Sequence, residues 1–127
     1  MERQNISTGS PWEPRVGFSR AVRVGNQVFF SGTLDTDEEG KPIGEMAYGQ
    51  ALNIFRKFEI ILRDLGGSLE SVVRTRMFLV DVRDSQEVSR AHAEVFGNIR
   101  PAATMVVVKG FLGEGFLVEI EADAILN

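Results

Sequence analysis

Ala47, Ala51, Ile54, Phe55, Phe58, Ile61, Leu62 and Leu65 recur at helical spacing, with Gln50, Asn53, Arg56, Lys57 and Arg63 on the other side. A helix so patterned carries one apolar face that must be covered. Gly66-Gly67 predicts its end, since glycine accepts the left-handed conformation that stops a helix. The segments around it read as strands, so this face is expected to cover a sheet. Phe18, Val22 and Val24 fall on even positions, which predicts a strand buried on that side. Gly25-Asn26 is a tight-turn dipeptide, and Gln27 to Ser31 resumes extended character, so a hairpin follows. Thr33 to Gly44 reads as a solvated tip around Asp35, Asp37, Glu38 and Glu39. It lacks the far glutamate of a calcium loop.

Val72 to Val80 is β-branched and apolar, with Val73, Thr75, Met77 and Leu79 on one face. Asp84-Ser85-Gln86-Glu87 has capping-box spacing, and Val88, Ala91, His92, Val95 and Phe96 predict a second helix stopped by Gly97. Ala102 to Lys109 predicts a strand buried on much of both faces. In the last strand, Val118, Ile120, Ala122 and Ala124 share one face, and Glu119, Glu121 and Asp123 share the other. The expected order is β-β-α-β-α-β-β: an α+β fold of one sheet with two helices on one face. Residues 1–127 are expected to form one domain, with 1–16 an irregular lead-in. The mixed polar and aliphatic sheet face opposite the helices predicts a homo-oligomer.

Zero cysteines excludes disulfides, thiolate metal sites and cysteine nucleophiles, and a single histidine excludes a His-rich metal centre. A formal charge of −4 disfavours nonspecific nucleic-acid binding. The longest apolar runs are too short to span a membrane, and the first residues lack the apolar stretch of a secretion signal. The expectation is a soluble cytoplasmic protein with no nucleic-acid or membrane partner. His92 sits in an apolar stripe with no nucleophile near it in sequence, and reads as a packed imidazole with one hydrogen bond. Arg74 and Arg76 either bind an anion or pair with the acidic strand. Glu119, Glu121 and Asp123 offer a divalent site, a general acid/base set, or carboxylates that are salt-bridged or solvated. Their spacing of about 6 to 7 Å along one strand is too wide for one ion without help. No phosphate-loop or dinucleotide fingerprint is present, so neither metal nor cofactor is expected.

The ordered motifs carry a resemblance. They are Val24-Gly25-Asn26 before a strand ending Phe30-Ser31-Gly32, Gln50-Ala51-Leu52-Asn53-Ile54 in the long helix, and Leu65-Gly66-Gly67-Ser68 after it. Val72 to Asp81, Arg100-Pro101-Ala102 and Val118-Glu119-Ile120-Glu121-Ala122 complete the set. Together, from about Gly17 to Ala124, the chain resembles the RidA/YjgF family, whose founding members are 2-imino-acid deaminases. The resemblance implies a chorismate-mutase-like fold assembled as a homotrimer, with a central barrel and small-molecule clefts between subunits. It implies Glu119 as the glutamate near the attacking water. Ser31 and Gly32 would line the cleft, with Phe18 as the aromatic residue at its mouth and Ser89 at a position often occupied by asparagine. The family's Pro-Ala-Arg is Pro101-Ala102-Ala103 here, followed by Thr104. Replacing a bidentate guanidinium by Ala103 removes the clamp for a substrate carboxylate, an effect of about 2 to 5 kcal/mol. Two functions follow from this. One is hydrolysis of an imine, enamine or related compound lacking that carboxylate, in a cleft that includes Ala103 and Thr104. The other is noncatalytic binding of a small metabolite in the same cleft. A ribonuclease activity is disfavoured by the acidic balance and the absence of a basic stripe.

Overall fold

In the computed structural model, which describes residues 1–127, the long apolar stripe folds as helix α2, Ala47–Asp64. Ala47, Ala51, Ile54, Phe55, Phe58, Ile61 and Leu62 are all buried. The helix ends where Gly66 turns to φ 86° and the Gly67 N–H donates to Leu62 O at 2.8 Å. The strands are β1 (Arg3–Ile6), β2 (Ala21–Val24), β3 (Gln27–Thr33), β4 (Val72–Leu79), β5 (Ala102–Val107) and β6 (Val118–Ile125). The other helices are α1 (Trp12–Val16) and α3 (Ser85–Phe96). One six-stranded sheet has the order β1-β2-β3-β6-β4-β5. All its pairs are antiparallel except β4 with β5, which are parallel and joined through α3. The chain's last strand thus inserts between β3 and β4. Its Val118, Ile120, Ala122 and Ala124 bury against α2 and α3, while Glu119, Glu121 and Asp123 point to the side no helix covers.

The α+β layout, both long helices and the Gly25-Asn26 hairpin agree with the pattern of the sequence. Six local features differ. The lead-in is ordered: β1 pairs with β2, and α1 follows it. Edge strand β1 exposes Arg3, Gln4 and Asn5 on both faces, so no alternation marks it. In β2 the buried residue is Ala21, opposite buried Phe30, and the even-numbered Val22 and Val24 lie on the uncovered face. A bulge between Val72 and Arg74 puts Val72 in the core and leaves Val73 exposed. β5 is an edge strand whose Ala102, Ala103, Thr104, Val106 and Val107 are exposed, where burial on both faces was expected. Its apolar residues have no second neighbour within this chain. Asp35 is fully buried rather than solvated: its Oδ2 accepts from the Gly44 N–H at 2.7 Å and from Asn53 Nδ2 at 3.0 Å. Asp84 makes no side-chain cap to α3, because a single 3₁₀ turn at Val82–Asp84, capped by Asp81, precedes the helix.

Candidate functional site

The uncovered side of the sheet is built around an interruption in β3. Phe30 pairs with Ala122 and Thr33 with Ile120, so β3 carries one more residue than β6 across this stretch, and Ser31 and Gly32 form the irregularity. Glu119 folds over it. A Cβ at Gly32 would stand 3.1 Å from Glu119 Cδ and 3.2 Å from Oε2, so a residue without a side chain is what lets the carboxyl lie there. Glu119 makes no hydrogen bond or ion pair within the chain. Burial raises its pKa above the ordinary 4.5, with Arg20 opposing the shift and Glu121 adding to it.

Arg20 is fixed from several sides. Its Nη1 donates to Gly32 O at 2.8 Å and to Thr33 Oγ1 at 3.1 Å, and its guanidinium lies 5.2 Å from the centre of the Phe18 ring. Burial lowers its pKa, and the charges of Glu13 and Glu119 act against that shift. Glu13 is itself buried. Burial acts upward on its pKa and is outweighed by hydrogen bonds from the Ser7 hydroxyl and from the Thr8 hydroxyl and N–H. Its carbonyl accepts the Phe18 N–H at 2.9 Å, so the segment read as a lead-in seats the aromatic ring. The Ser31 hydroxyl is taken by Ser19 O at 2.6 Å and serves to tie β3 to the chain before β2.

Further along the uncovered face, Arg76 Nη1 lies 3.4 Å from Glu121 Oε1 and 3.3 Å from Asp123 Oδ2. Of the two readings for the arginine pair, cross-strand pairing therefore holds for Arg76. The three β6 carboxylates have unlike surroundings and do not gather with other ligating side chains into a metal-holding group.

The remaining sequence-predicted residues meet elsewhere. Ser89, Ala103 and Thr104 line a cavity of about 290 Å³ together with Met77, His92, Ala93 and Met105. Ala103 pairs with Thr75 in the parallel β4–β5 register, and Thr75 Oγ1 lies 2.8 Å from His92 Nε2 on α3. Ala103 and Met105 are therefore on the helix side of the sheet, and Thr104 between them is on the other. The His92 ring meets Phe55 edge-on and tilts against Phe96, with centroids at 5.8 and 4.8 Å. Burial lowers its pKa. It is a packed imidazole with one hydrogen bond, as its stripe predicts, and it also lines the cavity.

The structure thus joins Phe18, Ser31, Gly32 and Glu119 through Arg20 on one face and Ser89 and Ala103 on the other, while Thr104, opposite Arg76 in the register, turns its side chain to the uncovered face and borders the cavity only from the strand. Sequence reasoning passed over Glu13 and did not place Arg20. The usable signal was parity: Arg20 sits on the same side as Phe18, Val22 and Val24, and a charge on a side taken for core needs a partner.

Known proteins share this arrangement of chain. An uncharacterized protein of Streptomyces coelicolor is 38% identical over 128 residues, covering 95% of this chain and 90% of its own length. The chloroplastic Reactive Intermediate Deaminase A of Arabidopsis thaliana is 32% identical, covering 99% of this chain and 67% of its own length. Among solved structures, a YjgF-family member from Mycobacterium tuberculosis matches with a TM-score of 0.88 at 42% identity, over 98% of this chain and 100% of that one. No helix is long and apolar enough to cross a membrane. The model of the family described as endoribonuclease L-PSP matches residues 8–126, nearly end to end, and with these relatives it makes the chain a member of that family, the one that also carries the YjgF and RidA names.

Proposed function

We propose that this chain hydrolyses a small imine or enamine that lacks the usual carboxylate, in clefts completed between copies of a homotrimer. The observation that carries this reading is Glu119: a carboxyl on the uncovered sheet face, unpartnered, with a raised pKa and room made for it by Gly32. Such a group is suited to proton transfer. In the reaction, water adds through its oxygen to the imine carbon and gives a proton to Glu119. The C=N π pair moves to nitrogen, which takes that proton from Glu119 and gives the carbinolamine. Glu119 then removes the hydroxyl proton as the C–O bond becomes a carbonyl and passes it to the nitrogen, which leaves as ammonia. Imine and water give carbonyl compound and ammonia, with no electron transfer and no cofactor. Arg20, held on Gly32 O and Thr33 Oγ1, keeps the Glu119 pKa from rising further.

Support for assembly lies in what one chain leaves bare. Phe29, Val73 and Ile125 on the uncovered side are 43%, 43% and 46% exposed, and Val107 on edge strand β5 is 53% exposed. The Glu119 and Ala103 groups lie on opposite faces, so one small ligand reaches both only where two copies meet. The name of the Arabidopsis relative supports the deaminase class. Ala103 supports a substrate without the clamped carboxylate, and it equally favours a second reading, a noncatalytic metabolite carrier using the same cleft. The net charge of −4, the hydrogen bonds that tie Arg20 to Gly32 O and Thr33 Oγ1, and the pairing of Arg76 with Glu121 and Asp123 weigh against an RNA substrate.

The test is ammonia release from imines generated in situ by an amine oxidase, which carry no carboxylate, and by an amino-acid oxidase, which do. Acceleration of the first, lost by about a hundredfold in Glu119→Gln, is expected. Acceleration equal in both proteins overturns the role of Glu119. Binding without turnover of either imine establishes the carrier.

A further inference from the structure

We propose that the cavity between α3 and β5 is a selectivity pocket for a compact, uncharged, hydrogen-bonding group of the ligand, with His92 as its recognition residue. This deepens the proposed function and rests on its cleft, but its chemistry is separate from that of Glu119. The cavity, about 290 Å³, is at the small end of ligand sites and takes a fragment rather than an extended molecule. Its side-chain walls are apolar at Met77, Ala93, Ala103 and Met105 and polar at Ser89 and His92, with Thr104 bordering it from the β5 strand. No lining side chain carries a fixed charge.

His92 is the one titratable group in these walls. Its Nε2 is bound to buried Thr75 Oγ1 at 2.8 Å, and Phe55 and Phe96 hold the ring plane. Burial disfavours its protonated form, so the ring is neutral near pH 7. Nδ1 has no hydrogen-bond partner within the chain. A neutral imidazole bound through one nitrogen keeps the other to donate or accept, depending on which way the Thr75 hydroxyl points. An amide, alcohol or carbonyl satisfies it in either tautomer. A carboxylate entering the same walls would lose its water and meet no cation, since Ala103 supplies none. The pocket therefore selects by polarity without charge, and the orientation of its polar group is fixed by packing.

Because His92 is the only histidine in the chain, its ring signals in a proton–nitrogen NMR spectrum are assigned without ambiguity. The probes are pyruvamide and pyruvate, alike in shape and different in charge. Pyruvamide should move the His92 ring signals and bind more tightly than pyruvate by about tenfold or more. Ala103→Leu, which fills the cavity from an exposed edge position, should abolish the shift, and Ser89→Leu gives the same result from the opposite wall. His92→Gln, which keeps a polar group toward Thr75, should weaken pyruvamide by about tenfold as read by calorimetry. Equal binding of the two probes, binding that leaves His92 unmoved, or no binding of pyruvamide overturns the assignment. Glu119→Gln separates the two readings. If it still binds pyruvamide at His92 while the wild-type protein releases no ammonia from any imine, the hydrolytic function fails and the pocket stands.

Discussion

The two faces of the one sheet are put together by different rules. Toward α2 and α3, Val28, Phe30, Ile120, Ala122 and Ala124 interlock with Ile54, Phe55, Phe58 and Leu62, at almost no exposure. Most polar groups that enter that side are satisfied, Asp35 Oδ1 being the exception among fully buried side-chain atoms. Buried Gln50 donates to Gly44 O and Gly115 O and accepts from the Leu117 N–H. The other face mixes exposed Phe29, Val73 and Ile125 with Arg20, Arg76 and three carboxylates, one of which has no partner. Burial and hydrogen bonding account for nearly all of the first face outside the cavity beside α3. The second makes physical sense only if something else comes to lie against it.

The comparison breaks most readily at the core. Phe55→Ala should cost about 3 to 5 kcal/mol in urea unfolding, whereas Phe29→Ser should barely change the unfolding of the chain and instead lower its association in sedimentation velocity. Equal losses of stability would erase the distinction between the faces. The next effect is at Glu119. Its folded-state pKa is raised, so the stability linked to it is present below pH 4.5 and is lost as pH rises through the folded value. Glu119→Gln should therefore lose about a hundredfold in turnover yet unfold at a higher temperature than wild type at pH 7, the difference vanishing near pH 4. Gly32→Ala sharpens the geometry. Its Cβ would press the Glu119 carboxyl at 3.1 Å, and turnover should fall on the order of tenfold with the fold intact by circular dichroism.

Smaller effects separate the faces further. The lowered pKa of His92 means that the unfolded chain takes up the proton first. Stability from this group is complete above about pH 6.5 and declines as pH falls below it, and His92→Gln should flatten that acid slope in thermal melts. Arg76→Gln breaks a partly exposed pair and should cost less than about 1 kcal/mol by chemical denaturation.

Much of the helix-covered side was legible in the sequence, because burial writes periodicity into a chain. The α2 stripe and the β6 alternation follow from apolar residues recurring at one spacing, and the β2–β3 turn from the Gly25-Asn26 dipeptide. Periodicity does not say which side is buried. Phe18, Val22 and Val24 alternate as a core strand does, yet they face away from the helices, and Ala21, opposite buried Phe30, takes the core position. A bulge is likewise silent: the shift at Val72 exchanges the faces of two valines without altering composition. The site was legible in pieces. Glu119 and Gly32 could be named, but not the bulge that brings them together, and Arg20 and Glu13 meet only because β1 and α1 fold back as ordered structure. His92 was rightly read as packed. That it also lines a cavity depends on Ala103 across the β4–β5 register, which no local spacing records.

The account stands on a cleft whose acidic half and neutral half come from different copies. Co-expression of Glu119→Gln and Ala103→Phe chains, each inactive alone, tests it directly. Random pairing should restore on the order of a quarter of wild-type imine hydrolysis, because that share of clefts joins an intact Glu119 to an intact Ala103. A mixed assembly with no activity above that of its parents would contradict it.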